Sequence, residues 1–100
     1  MSRVRHFGIC VMAKIKCFSI PGMQLWFYSN DHEPPHFHAK RNGAWEYKVQ
    51  FLEPSHGMFN LISAAKKTSM SKADRELLRK MVERHRIDIL REWEQKVIHL

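Results

Sequence analysis

The dipeptide Asn42-Gly43, followed by Trp45, Tyr47, Val49 and Phe51 at every second position, constrains this chain more than any other stretch. Asn and Gly both tolerate the positive φ that tight hairpin turns require, and strict alternation describes a strand with one buried face. Glu46, Lys48 and Gln50 fall on the opposite face, so Trp45 to Leu52 is predicted as a half-buried strand, with His36 to Arg41 as its hairpin partner. Upstream, Lys14 to Ile20 and Met23 to Ser29 read as two strands joined at Pro21-Gly22. Downstream, Glu53-Pro54-Ser55-His56-Gly57 turns the chain into a short fifth strand, Met58 to Ser63.

The period then changes. Ser71 is placed to cap a helix, with Asp74 in the first turn, and Leu78, Val82, His85, Ile89, Trp93 and Val97 recur at spacings of three and four. With no Gly or Pro after Ser71, the pattern predicts one long helix, although about 26 residues would reach ~39 Å, more than a small sheet can cover. A bend or break near His85 is the alternative. The expected architecture is α+β: an antiparallel meander of about five strands with a C-terminal long helix or helix pair packed on one face. Trp45, Tyr47, Val49 and Phe51 should then meet Leu78, Val82, Ile89 and Trp93.

One hundred residues, 44% of them hydrophobic, suffice for a single core and not for two. Residues 12–100 are expected to form that domain, and residues 1–11 a flexible extension, with Met12 a possible start of translation. Arg3 and Arg5 precede an apolar stretch from Phe7 to Ala13 that is short for a signal peptide, is followed by Lys14 and Lys16, and lacks a cleavage site. No segment has the ~20 apolar residues needed to span a bilayer, so no membrane partner is expected and a cytoplasmic location is. Cys10 and Cys17 lie close together, the second inside a predicted strand, which favours two reduced thiols over a disulfide.

Net charge is +7, an excess that attracts polyanions, whether an acidic partner protein or RNA or DNA. Lys66, Lys67, Lys72, Arg75, Arg79, Lys80, Arg84, Arg86 and Arg91 put much of it in the last third. A solvated helix face would look the same.

Chemistry concentrates elsewhere, in Asn30-Asp31-His32-Glu33-Pro34-Pro35-His36-Phe37-His38. Each proline pushes its predecessor toward extended backbone, so the run leads stiffly from a polar turn into a strand. His36 and His38 then share one side, about 6 to 7 Å apart, opposite Phe37 and Ala39. Together with Asp31 and His32 they offer nitrogen and oxygen ligands suited to zinc, nickel or iron. Alternatively, the two imidazoles could act as general base and general acid on RNA without a metal, with Lys40, Arg41 or Arg86 steadying charge on phosphorus. As a third reading the segment is a rigid structural corner, Asn30 and Asp31 capping the turn, in a protein that acts by binding. His85, on the apolar stripe, reads as a core residue.

The segment NDHEPPHFHAK, with LWFYS before it and VERHRIDILREWE near the end, resembles a family of small bacterial proteins, the domain of unknown function 4160. The resemblance spans roughly Lys14 to Lys96 and rests on Asn30, Asp31, His32, Pro34, Pro35, His36, Phe37, His38, His85, Arg86, Trp93 and Glu94. It implies a short β-meander with a terminal helical segment and no defined activity. Its members resemble one half of a two-gene cassette, which implies toxin and antitoxin biology. The chain departs from the pattern in its N-terminus, Met1 to Val11, and its basic balance. The reading adopted on these grounds is a binding component of such a cassette, without a cofactor. Its partner would be an acidic protein or nucleic acid, with Asp31, His32, Lys40, Arg41, Arg79, Arg84 and Arg86 as binding residues. Histidine-dependent RNA cleavage, or a divalent metal such as zinc, is the alternative.

Overall fold

The computed structural model describes residues 11–62 and 69–97 of the chain. The proposed extension up to residue 10, Cys10, Ser63 and the Lys66-Lys67 pair lie outside the described residues. Five strands, β1 (Met12–Lys14), β2 (Met23–Tyr28), β3 (Phe37–Arg41), β4 (Trp45–Val49) and β5 (Phe59–Leu61), form one antiparallel sheet in chain order. A single helical turn, α1 (Ser55–Met58), precedes β5, and α2 (Lys72–Lys96) closes the domain. The fold is the expected α+β meander with a long C-terminal helix.

Alternation in β4 works as its pattern requires. Trp45, Tyr47 and Val49 are buried, while Glu46 and Lys48 are half-buried on the other face. Phe51 lies beyond the strand in a turn and is fully buried all the same, in one core with Leu78, Val82, Ile89 and Trp93 of α2.

Four expectations need correction. The first strand is Met12–Lys14, not Lys14 to Ile20, and Cys17 therefore sits outside any strand. Ile15, Phe18 and Ile20 are all buried, a spacing that no strand of period two provides. In place of ladder partners, the N–H groups of Lys16 and Cys17 donate to the Glu92 carboxylate at 2.9 and 2.7 Å. Second, Val11 is not part of a free extension: it exchanges hydrogen bonds with Ser29 through its carbonyl (2.9 Å) and its N–H (3.0 Å). Third, the turn expected at Glu53 to Gly57 becomes partly helical, as α1. Fourth, α2 is not continuous.

At His85 the backbone leaves helical values (φ −111°, ψ 16°), splitting α2 into two runs. The apolar stripe is uninterrupted, so the cause is tertiary. The His85 ring stacks on Phe18 at 5.4 Å, and the next residue, Arg86, donates to the carbonyls of Phe51 (2.6 Å) and Glu53 (3.3 Å). Further on, Lys96 donates to the Lys14 carbonyl at 3.0 Å and Glu92 holds Lys16 and Cys17. A straight helix of this length would overshoot a sheet whose five strands, ~4.8 Å apart, span only about 19 Å. Bending at His85 lets both halves keep apolar faces on the sheet. The N-terminus is capped as predicted, Ser71 Oγ accepting from Asp74 N–H at 3.1 Å.

Candidate metal centre

The turn between β2 and β3 gathers the polar side chains. Asp31 folds back onto the end of β2: its N–H donates to the Tyr28 carbonyl at 3.1 Å, and its Oδ2 accepts from the Tyr28 N–H at 2.9 Å. The chain then runs through Glu33-Pro34, whose peptide bond is cis, and enters β3 at Phe37. Phe37 points into the core against Phe18 and Phe51, so His36 and His38 take the other side together, as their spacing predicts. Both are buried, at 5% and 7% exposure, the buried polar side chains among the described residues.

The two imidazoles converge on one carboxylate. Nε2 of His36 lies 3.4 Å from Asp31 Oδ1, and Nε2 of His38 lies 3.4 Å from that same oxygen and 3.3 Å from Oδ2. One ligand atom from each of the three residues falls within 4.8 Å of the others. Ring contacts fix the geometry: His38 stacks on Trp26 at 5.4 Å and meets Tyr28 edge-on at 4.8 Å, while His36 packs near Trp93 at 5.6 Å. Burial by itself would raise the Asp31 pKa. Hydrogen bonds from His36, His38 and the Tyr28 N–H outweigh it and hold the carboxyl well below its usual range, so Asp31 is a fixed negative charge at neutral pH.

Nδ1 of His36 lies 2.9 Å from the Pro34 carbonyl oxygen, which can only accept, so Nδ1 carries a hydrogen. A neutral His36 therefore turns the lone pair of Nε2 toward an ionised carboxylate. That contact is stable only with a proton or a metal cation between them. His38 is less completely provided for: its buried Nδ1 has no hydrogen-bond partner among the described residues.

A cleft of about 320 Å³ opens over the group, lined by Asp31, His32, Glu33, Pro34, His36, His38, Lys48 and Ile62. His32 is exposed and borders the cleft without joining the three convergent side chains. The remaining predicted site residues lie elsewhere. Arg41 makes a two-pronged ion pair with Asp74, both bonds 2.9 Å. Arg79 is held by Glu76 and Glu83, and Arg86 is committed to two backbone carbonyls. Lys40 is half-buried and Arg84 exposed, and neither lines the cleft.

Lys48 is the cleft residue that sequence reasoning missed, and register brings it there. Arg41 pairs with Trp45, so a three-residue loop closes the hairpin and His38 pairs with Lys48. Gly43 alone takes positive φ (+76°), where the Asn42-Gly43 signal allowed both residues to do so. A two-residue turn there would set His38 against Tyr47 and put a histidine on the core face. Parity was the available signal: Phe37 and Ala39 share the core face with Tyr47 and Val49 only if the loop is odd.

The model of the family described as Domain of unknown function (DUF4160) matches residues 22–94, and the chain belongs to that family. No curated protein and no solved structure gives a significant match. Among the described residues, no helix is long and apolar enough to cross a membrane.

Proposed function

We propose that this protein binds a divalent transition metal through Asp31 Oδ1, His36 Nε2 and His38 Nε2, with zinc the first candidate, and that the centre forms the floor of its working cleft. One observation carries the reading: a single carboxylate oxygen lies 3.4 Å from both imidazole nitrogens, and the three ligand atoms fall within 4.8 Å of one another. With metal–ligand bonds of ~2.0–2.1 Å, the edge of a coordination tetrahedron is about 3.3–3.4 Å. The supporting contacts are those expected around such a centre. His36 Nδ1–H is anchored on a backbone carbonyl, which sets the tautomer, and the second oxygen of Asp31 accepts a backbone N–H. Two histidines and one carboxylate leave at least one coordination position for an outside ligand.

Metal-independent RNA cleavage has less support, because both Nε2 atoms that would move protons are turned onto Asp31 in buried rings. A phosphate-binding face built on Arg79 and Arg86 has less support too, since those guanidinium groups are already engaged. The net charge of +7 supports an acidic ligand or partner. Metal analysis of purified protein, followed by calorimetric titration of the stripped protein with zinc, tests the proposal. Wild type and His32→Ala should bind about one equivalent, and His36→Ala and His38→Ala should not. Binding should weaken in acid, because protons compete for the same imidazole lone pairs. Equal zinc binding by wild type and both histidine variants would defeat the proposal, and RNA cleavage that survives chelator would replace it with the metal-free reading.

A further inference from the structure

Resting on that centre, we infer that the cleft is a receptor for a phosphoryl group, one oxygen on the metal and another on the Lys48 ammonium. Lys48 is paired directly with His38 across β3 and β4, so the two side chains stand side by side on the same face of the sheet, and both line the cleft. Lys48 is half-buried, and among the described residues its ammonium makes no ion pair or hydrogen bond. Lys48 is the cation that lines the cleft, beside the buried histidines, and its ammonium is available to a ligand there.

Charge balance sets the ligand class. A divalent cation and Lys48 together exceed the two carboxylates at the cleft, Asp31 and Glu33, by one positive charge while the histidines are neutral. The Asp31 charge is consumed by the centre itself, and Glu33 is exposed at the rim. The ligand must therefore be anionic, with oxygen donors hard enough for the metal and a second oxygen within reach of a lysine. A phosphoryl group meets both demands: Lys acts on it as a point charge and the metal as a Lewis acid. Ile62 and Pro34 supply apolar wall for whatever the phosphoryl group is attached to. His32, also at the rim, is placed to contact that remainder.

The test uses full-length protein loaded with zinc and titrated with inorganic phosphate by calorimetry, with Lys48→Met and the chelator-stripped protein in parallel. Phosphate should bind the loaded wild type, bind Lys48→Met about tenfold or more weakly at unchanged zinc content, and fail to bind the stripped protein. Circular dichroism of Lys48→Met should match wild type, since Lys48 lies off the core face. Two further arms, a ribose phosphate monoester and a single-stranded oligonucleotide, separate a small phosphate ester from a nucleic-acid backbone as the source of the group. Zinc-loaded protein that ignores phosphate, or a Lys48→Met variant that binds it as well as wild type does, overturns this inference and leaves the metal centre standing. A chain that takes up no zinc overturns both.

Discussion

Replacing Asp31 with Asn tests the core of the site without any assumption about what binds there. The carboxylate accepts from the Tyr28 N–H at 2.9 Å and faces both imidazole Nε2 atoms at 3.3–3.4 Å in a largely buried setting. Hydrogen bonds to a charged group contribute ~1.5–3 kcal/mol each, and the two long ones stand at the low end of that range. Desolvation of the carboxylate offsets part of the sum. Asparagine keeps one oxygen for Tyr28 but turns an NH2 group or a neutral oxygen toward the histidines. Asp31→Asn in metal-free buffer should therefore lose about 2–3 kcal/mol at pH 7, read from urea melts at unchanged slope. The pH dependence gives an independent check. Because the folded-state pKa of Asp31 lies below its ordinary 3.8, its stabilisation is present above that value and disappears as pH falls through the folded-state value. Carboxylates away from the site titrate alike in both proteins, so the acid-range difference between the two melts isolates Asp31. It should shrink as pH falls below 3.8. A difference near zero at pH 7, or one that does not shrink in acid, would refute the assignment of Asp31 as the buried anion of the site.

Further expectations follow from contacts elsewhere in the domain. Glu92→Ala should cost about 1–3 kcal/mol in a denaturant melt, because it removes the acceptor of the exposed Lys16 N–H and the part-buried Cys17 N–H and releases Lys96. Burial first, and then the Glu92 hydrogen bond, push the Cys17 thiol up to about 12, so iodoacetamide should modify it far more slowly than a free peptide thiol at pH 8; equal rates would contradict the placement. Val49→Asp should unfold the domain or nearly so, since Val49 is fully buried, while Glu46→Lys on the opposite face should change stability by less than about 1 kcal/mol. Gly22→Ala should lower stability by about 1–2 kcal/mol, because φ is +80° there and the added methyl would meet the Arg41 guanidinium.

What could be read from the sequence, and what could not, divides by the range of the interaction. The His-Phe-His spacing fixed which side each ring takes because strand geometry is local, and the alternation in β4 fixed the core face for the same reason. The capping role of Ser71 is likewise contained within three residues. By contrast, the break at His85 left no trace in the apolar stripe, because it answers to Phe18 and to two carbonyls of the β4–α1 turn, all distant in sequence. Segment 15–20 has the apolar content of a strand, but the N–H groups of Lys16 and Cys17 donate to a glutamate on α2 that no local pattern reveals. The partners of the basic helix face are equally invisible in its composition: Arg79 and Arg86 count toward net charge, yet one is matched on its own helix and the other on a turn.

The position of Lys48 joins the two ranges. Its place opposite His38 depends on a loop of three residues, a choice forced by the need of Phe37 and Ala39 to share a buried face with Tyr47 and Val49. Hydrophobic burial of several side chains contributes far more than the preference of Asn42-Gly43 for a two-residue turn, so the core sets the register and the turn adapts. The lysine beside the histidines is thus placed by residues on the opposite side of the sheet. Inserting one Gly after Gly43 would set the two demands against each other, by keeping either the core parity or a regular loop length. If the core governs, the insertion should be absorbed in a longer loop with the His38–Lys48 pairing intact. Cross-strand nuclear Overhauser contacts between those two residues would measure this, and a pairing of His38 with Tyr47 instead would show that the turn, not the core, sets the site.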